Sequence, residues 1–216
     1  MPLRTEAHQT QVERWPAAGR VILAQFDAET VVVYQAYRPA IGAFAASHGY
    51  FGGEFSTDRM SWIKPNFLWM MYRSRWGTTA GQETILAVRI RRAAFDEILA
   101  QAVPSSYDRD SYPSRAAWSA AVSSSEVRLQ WDPDHDPSGG RLERRAIQLG
   151  LRGAVLRSYA REWIVSIEDI SPFVAAQREN VLRPGWAGLT LPEESVYPVT
   201  DAAVAGRVGV APSLAG

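Results

Sequence analysis

Residues 162–172 read Glu-Trp-Ile-Val-Ser-Ile-Glu-Asp-Ile-Ser-Pro and follow a segment with helical periodicity at 154–160. The apolar residues after Glu162 are typical of a buried strand, so the pattern places this acid at the point where the strand begins. A run of residues that is buried rarely begins with an acid unless that acid caps, pairs or catalyses. Glu162 is therefore the first candidate for a functional residue, and the alternative is a surface ion pair with Arg157 or Arg161.

The composition is that of a globular domain with balanced charge. The 216 residues are 46% hydrophobic, which is enough for a core, and the 23 basic and 23 acidic residues cancel. Bulk electrostatics therefore favour neither indiscriminate nucleic-acid binding nor an anionic membrane surface. The absence of cysteine excludes disulfides, thiolate catalysis and cysteine-ligated metals. The apolar runs are too short to span a membrane and no signal peptide is evident, so we expect a cytoplasmic protein without membrane contact.

The order of periodic segments predicts one α+β domain with irregular ends. We expect a mobile lead-in over residues 1–19, a single catalytic-type domain over 20–183, and an irregular tail rich in Pro, Gly and Ala over 184–216. Segments rich in Val and Ile predict strands at 20–26, 30–36, 84–90, 127–131 and 162–167. Helical spacing predicts helices at 39–49, 93–102, 114–122 and 154–160. The pattern of 60–76 fits strand and helix equally well, and the composition of 132–140 indicates an exposed loop.

Three segments carry a resemblance to the ADP-ribosyltransferase superfamily, in its diphtheria-toxin-like and poly-polymerase-like branch. Tyr34-Gln35-Ala36-Tyr37-Arg38 ends a strand and precedes a helix, Met70-Met71-Tyr72-Arg73-Ser74 precedes the strand at 84–90, and Glu162 begins the last core strand. These segments occur in the order found in that superfamily. The resemblance implies two packed, strongly bent mixed sheets with peripheral helices, and it implies NAD as the substrate.

The same resemblance implies roles for individual residues. Glu162 would stabilise the oxocarbenium-like state that forms when the nicotinamide–ribose bond breaks. Tyr72 would stack on the nicotinamide ring, a contact worth about 0.5–2 kcal/mol. Gln35 stands where the superfamily has histidine and would bind the ribose, with the Ala36 backbone on the nicotinamide amide and Tyr37 as a further NAD contact. The cationic residues expected to contact the pyrophosphate or the acceptor are Arg38, Lys64 and Arg73.

The run from Trp62 to Trp76 supports a different hypothesis. Lys64, Arg73 and Arg75 alternate with tryptophans, which suits the stacking of unpaired bases and the binding of phosphates, although core packing also explains most of the rings. The expected function is transfer of ADP-ribose from NAD to an unidentified nucleophile, which is a protein, a nucleic acid or a small molecule. The alternatives are a nucleic-acid- or nucleotide-binding module without catalysis, and an NAD glycohydrolase. We expect no metal site, because the three histidines and the acids lack ligand spacing.

Two longer runs resemble another family more specifically. Val-Tyr-Gln-Ala-Tyr-Arg-Pro at 33–39 and Trp-Ile-Lys-Pro-Asn-Phe-Leu-Trp-Met-Met-Tyr-Arg-Ser at 62–74 are similar to the domain-of-unknown-function family 4291. This resemblance covers most of the chain. It implies family membership and implies no chemistry.

Overall fold

The structure is a computed structural model that describes residues 3–211. In chain order the strands are β1 (Thr5–Ala7), β2 (Gly19–Arg20), β3 (Leu23–Ala24), β4 (Thr30–Tyr37), β5 (Ser61–Ile63), β6 (Thr84–Arg91), β7 (Ala102–Pro104), β8 (Val127–His135), β9 (Arg141–Leu151), β10 (Ile164–Asp169), β11 (Thr190–Pro192) and β12 (Ser195–Val196). The helices are α1 (His8–Val12), α2 (Pro39–His48), α3 (Phe67–Ser74), α4 (Arg92–Gln101), α5 (Arg115–Ser124), α6 (Gly153–Arg161), α7 (Ser171–Val181) and α8 (Ala202–Val208), with a 3-10 turn at Pro184–Trp186. The predicted α+β class is confirmed.

An antiparallel three-stranded sheet in the order β10-β6-β4 lies at the centre of the fold. Strands β4 and β6 are buried on both faces, because Val31 and Val33 of β4 point into one hydrophobic cluster while Val32 and Tyr34 point into the other. The edge strand β10 is mostly exposed. A strand buried on both sides reads as a continuous apolar run, as β4 and β6 do. The segments 31–36, 84–90 and 162–167 therefore contribute strands to one central sheet, as expected, but the third segment supplies an edge strand of which only Ile167 is buried.

The second main sheet has the order β2-β9-β8-β7, with β5 paired to the other half of β9. It is mixed, since β8 and β9 are antiparallel while β2 runs parallel to β9 and β7 parallel to β8. The two main sheets meet where Tyr34 and Lys64 exchange backbone hydrogen bonds, with N···O distances of 2.7 and 3.2 Å. This bridge brings the end of β5 against the carboxyl half of β4.

Helix α2 follows β4 directly and packs against β6. Pro39 occupies its first turn and Gly49 ends it with a left-handed φ of 74°, which glycine adopts without steric cost. Gly42 lies against β6, since a Cβ at this position would approach Thr84 Cγ2 to 2.3 Å. A side chain at Gly42 would therefore push α2 away from the sheet.

Both ends of the described segment, residues 3–211, are built into the fold, which corrects the predictions of a mobile lead-in and an irregular tail. Strand β1 pairs with β11, and the side chains of His8, Gln11 and Trp15 are buried. Helix α8 places Ala205 and Val208 in the main hydrophobic cluster. A local pattern could not reveal a pairing between strands more than 180 residues apart. Residues 1–2 and 212–216, which belong to the predicted lead-in and tail, lie outside the described residues.

Other boundaries also differ from the predictions. The predicted strand at 20–26 is divided into β2 and β3, and the ambiguous segment 60–76 contains both a strand and a helix. The predicted loop at 132–140 is strand as far as His135, because Asp134 is buried in an ion pair with Arg144 at 2.7 Å. In residues 3–211, no helix is long and apolar enough to cross a membrane.

Candidate functional site

A cleft of about 480 Å³ lies between the carboxyl end of β4 and the face of the β8–β9 pair. We call it the Lys64 cleft. Its wall includes the aromatic residues Tyr37 and Trp62, together with Ala36. Its polar and charged lining residues are Gln35, Arg59, Ser61, Lys64, Arg73, Gln82, Gln130 and Gln148. Within the part of the chain that the structure describes, no aspartate or glutamate lines this cleft.

Lys64 is the only lysine in the sequence, which otherwise uses arginine for its basic residues. Its position is fixed by the backbone bridge to Tyr34, and the residue is 5% exposed. Its Nζ forms neither a hydrogen bond nor an ion pair with any residue from 3 to 211. The residue keeps a little exposure to the cleft, yet an ammonium group so nearly withdrawn from water without an internal partner is an unusual and costly arrangement.

Burial, which has the largest effect, and the positive charge of Arg73 together lower the pKa of Lys64 to about 8, and the carboxylate of Asp132 opposes them in part. A buried base with a strongly lowered pKa in a cleft is a common mark of a functional site. Arg73 is exposed on α3 and forms no ion pair within the described residues. The two cations therefore face the same cleft without an internal counter-ion at contact distance.

A polar cluster on β8 and β9 forms the opposite wall. Gln130 and Gln148 lie directly across from each other in the β8–β9 register. Each amide nitrogen donates to Asp132, at 2.8 Å in both cases. Because the carboxylate fixes which end of each amide points inward, the remaining N–H and the carbonyl oxygen of each glutamine are available to a ligand.

Gln35 lines the Lys64 cleft but its amide is occupied by internal hydrogen bonds. The nitrogen lies 2.8 Å from Tyr37 Oη, 2.9 Å from Ser61 Oγ and 3.2 Å from the Trp62 carbonyl oxygen. The oxygen accepts from Tyr159 Oη at 2.6 Å. An amide has two N–H donors, so none remains for a ligand. Gln35 therefore joins β4, β5 and α6, and the predicted ribose contact would require these bonds to break.

Tyr72 lies on the outward side of α3 and lines a second cleft of about 570 Å³, which we call the Tyr72 cleft. Its ring is stacked on His135 with a centroid distance of 3.5 Å and an interplanar angle of 8°. Arg73 lines both clefts, but Gln35 and Lys64 do not line this one. The expectation that Gln35, Tyr72 and Glu162 line a single cleft is thus wrong for Gln35 and Tyr72.

Glu162 lies in neither cleft. The residue is exposed and ends α6, where its backbone N–H donates to the Ser158 carbonyl at 2.8 Å, so it is not the first residue of a buried strand. The next residue, Trp163, accepts from Arg91, which pairs with Thr30. Thr30 and Gln35 are at opposite ends of β4, about 16 Å apart at the rise of a strand. Glu162 is therefore at the far end of the sheet.

The remaining predicted contacts are divided between neighbouring surfaces. Ala36 and Tyr37 line the Lys64 cleft. Arg38 is exposed, forms an ion pair with Glu54 at 2.6 Å, and lines a separate shallow hollow with Tyr37. In residues 3–211, no group of three or more His, Asp and Glu side chains is arranged to hold a metal ion.

The family model described as "Domain of unknown function (DUF4291)" matches residues 21–197, which include β3 to β12 and both clefts. The chain belongs to the DUF4291 family. Among curated proteins, no match is found. The family description names no activity, so family membership assigns no substrate or reaction to the two clefts.

The DUF4291 domain contains cleft residues that the sequence analysis missed. Gln130, Asp132 and Gln148 share one face of the β8–β9 pair, because β8 continues to His135, beyond its predicted end at residue 131, and pairs with β9. The alternation of Gln130 and Asp132 with apolar or bulky neighbours was the signal in the sequence. The Asp- and Pro-rich composition of 132–140 hides this alternation, because such a composition is also typical of a loop.

Proposed function

We propose that the Lys64 cleft binds the phosphate groups of a nucleotide, and that NAD is the first ligand to test. The observation that carries the proposal is the buried Lys64 ammonium, which has no counter-ion among the described residues. An entering phosphate supplies that counter-ion, and it does so where water competes weakly.

The rest of the cleft supports a nucleotide over a simple anion. Arg73 and Arg59 add two further cations that can hold a pyrophosphate in the forked geometry of a guanidinium. The free edges of Gln130 and Gln148 offer donors and acceptors for a ribose or a base, and Trp62 offers a ring. A volume of about 480 Å³ is within the range of small-molecule sites.

Binding without catalysis is the function that this geometry supports best. Transfer of ADP-ribose to an unidentified nucleophile, or hydrolysis of NAD, requires a carboxylate beside the sugar that becomes cationic. Glu162 lies at the other end of the sheet, and Asp132 lies behind the amides of Gln130 and Gln148. Release of nicotinamide from NAD is the assay that separates these chemistries from binding.

The proposal is tested by thermal denaturation with NAD, ADP, adenosine and nicotinamide. We expect NAD and ADP to raise Tm by roughly 5–10 °C at a hundred times Kd, and adenosine and nicotinamide to have little effect. Lys64→Met should lose the response, whereas Arg157→Gln, on the exposed face of α6, should keep it. Equal stabilisation by adenosine and ADP, or an unchanged response in Lys64→Met, would overturn the proposal.

A further inference from the structure

The Tyr72 cleft adjoins the Lys64 cleft and has a similar charge. Its cations are Arg73, Arg75 and Arg178. Asp136 is the only acid that lines it within residues 3–211, and one oxygen of this carboxylate accepts from the backbone N–H groups of Ser138 and Gly140, each at 2.8 Å. These internal bonds partly offset the negative charge, so the surface that remains for a ligand is cationic.

The ring of Tyr72 forms a supported platform in this cleft. The residue is 43% exposed, which is unusual for a tyrosine whose ring is stacked on a neighbour. His135 lies behind it and is 2% exposed, and the Trp69 ring lies 5.4 Å from both. Burial lowers the pKa of His135, so the imidazole is neutral near pH 7 and the stack is not cationic. A fixed, exposed aromatic face suits the stacking of a base.

The wall of the cleft is held in an uncommon backbone conformation. Arg75 and Trp76 both have a left-handed φ, of 51° and 55°. Such residues are conformationally strained, and they persist when the surrounding structure requires them. Trp76 is held by a hydrogen bond from Nε1 to the Pro137 carbonyl oxygen at 3.1 Å. This turn directs the chain around the cleft immediately after α3.

Arg73 lines both clefts, so one ligand can contact them together. We propose that a single-stranded nucleic acid lies across both clefts, with a phosphate at Lys64 and Arg73 and a base stacked on Tyr72. This inference rests on the proposed binding of nucleotide phosphates. It adds a second site, a polymeric ligand and a role for the alternating rings and cations of residues 62–76. Since the net charge of the chain is zero, the attraction must be local to these clefts.

Fluorescence anisotropy with labelled thymidylate and uridylate chains of one to eight nucleotides tests the inference. We expect affinity to rise with length until both clefts are filled and then to level off. If the strand engages Lys64, Arg73, Arg75 and Arg178, the slope of log K against log salt should be about −2 to −3. Tyr72→Ala should weaken the longer chains roughly five- to a hundredfold, and Tyr72→Phe should retain most of the affinity. Thermal denaturation of each variant shows whether its fold is intact.

Two arginines outside the hydrophobic core give a second set of variants that should not disturb folding. Arg178 is half-buried and lies 3.6 Å from the Glu179 carboxylate, and Arg157 is exposed. Arg178→Gln should reduce the magnitude of the salt slope by about 0.7, and Arg157→Gln should leave it unchanged. If one nucleotide binds as tightly as eight, or if Tyr72→Ala and Arg178→Gln bind the longer chains like the wild type, the inference is wrong while nucleotide binding at Lys64 stands. If hexaglutamate binds as tightly as a nucleotide chain of the same length, negative charge alone accounts for binding, and the inference is wrong. Tighter binding of thymidylate chains identifies the strand as DNA, and tighter binding of uridylate chains identifies it as RNA.

Discussion

Replacement of Lys64 by methionine should stabilise the ligand-free protein. The pKa of Lys64 is lowered from 10.5 to about 8 in the folded state, mainly by burial. A shift of this size corresponds to about 3 kcal/mol of unfavourable free energy when the group is charged in both states. Methionine has a similar length and no charge, so Lys64→Met should raise the free energy of unfolding by about 3 kcal/mol at pH 7.

The pH dependence gives this prediction its specific signature. Below pH 8 the lysine is protonated in the folded and unfolded states, and the full penalty is present. As the pH rises from 8 to 10.5 the folded protein loses the proton first, the unfolded state binds more protons, and the wild type gains stability. The advantage of Lys64→Met should therefore shrink across this window and nearly vanish above pH 10.5.

Urea denaturation of both proteins at intervals between pH 7 and pH 10.5 measures the difference directly. The groups that the substitution leaves unaltered titrate equally in both proteins. Their contribution therefore cancels in the difference between the two free energies of unfolding. A variant that is less stable than the wild type at pH 7, or a difference that does not change with pH, would refute the reasoning. Either result would mean that Lys64 is well solvated or paired in the folded protein.

Three further predictions concern the residues around the clefts. Glu162→Gln, at the exposed end of α6, should change stability by less than about 0.5 kcal/mol and leave NAD affinity unchanged, as measured by urea denaturation and calorimetry; a tenfold or greater loss of nicotinamide release would instead restore the predicted catalytic role. Tyr159→Phe removes the donor at 2.6 Å from Gln35 Oε1 and should cost about 1–3 kcal/mol in urea, because the buried amide oxygen loses its partner; a cost near zero would contradict the structural role given to Gln35. Arg144→Met leaves Asp134 buried without its ion-pair partner and should cost about 3–5 kcal/mol, and the double variant with Asp134→Leu should recover part of that loss; no recovery would show that the arginine acts mainly by packing on Trp15.

The elements that the sequence predicted well are those with local signals. Pro39 and Gly49 mark the ends of α2, and the apolar run of β4 identifies a strand buried on both faces. These signals depend on residues a few positions apart. They were therefore visible in the sequence without knowledge of the fold.

The errors arose where a boundary or a partner depends on distant contacts. Glu162 lies between a helix and a strand. No local pattern showed that it belongs to the end of the helix, where its backbone N–H donates to the Ser158 carbonyl oxygen. The pairing of Gln130 with Gln148 depends on the register of β8 and β9. Lys64 and Arg73 line one cleft, and no finding tests their contact with a phosphate-bearing ligand. Their binding role stays a prediction.

Proton uptake on NAD binding tests the role of Lys64 most directly. Isothermal titration calorimetry in buffers of different ionisation enthalpy, repeated between pH 7 and pH 9.5, gives the number of protons taken up. A bound pyrophosphate should raise the pKa of Lys64, which is half protonated near pH 8. We predict an uptake of about half a proton per NAD near pH 8, no measurable heat of NAD binding in Lys64→Met, and weaker binding as the pH rises above 8. Tight binding of NAD with no proton uptake at any pH would contradict the assignment of Lys64 as the phosphate contact.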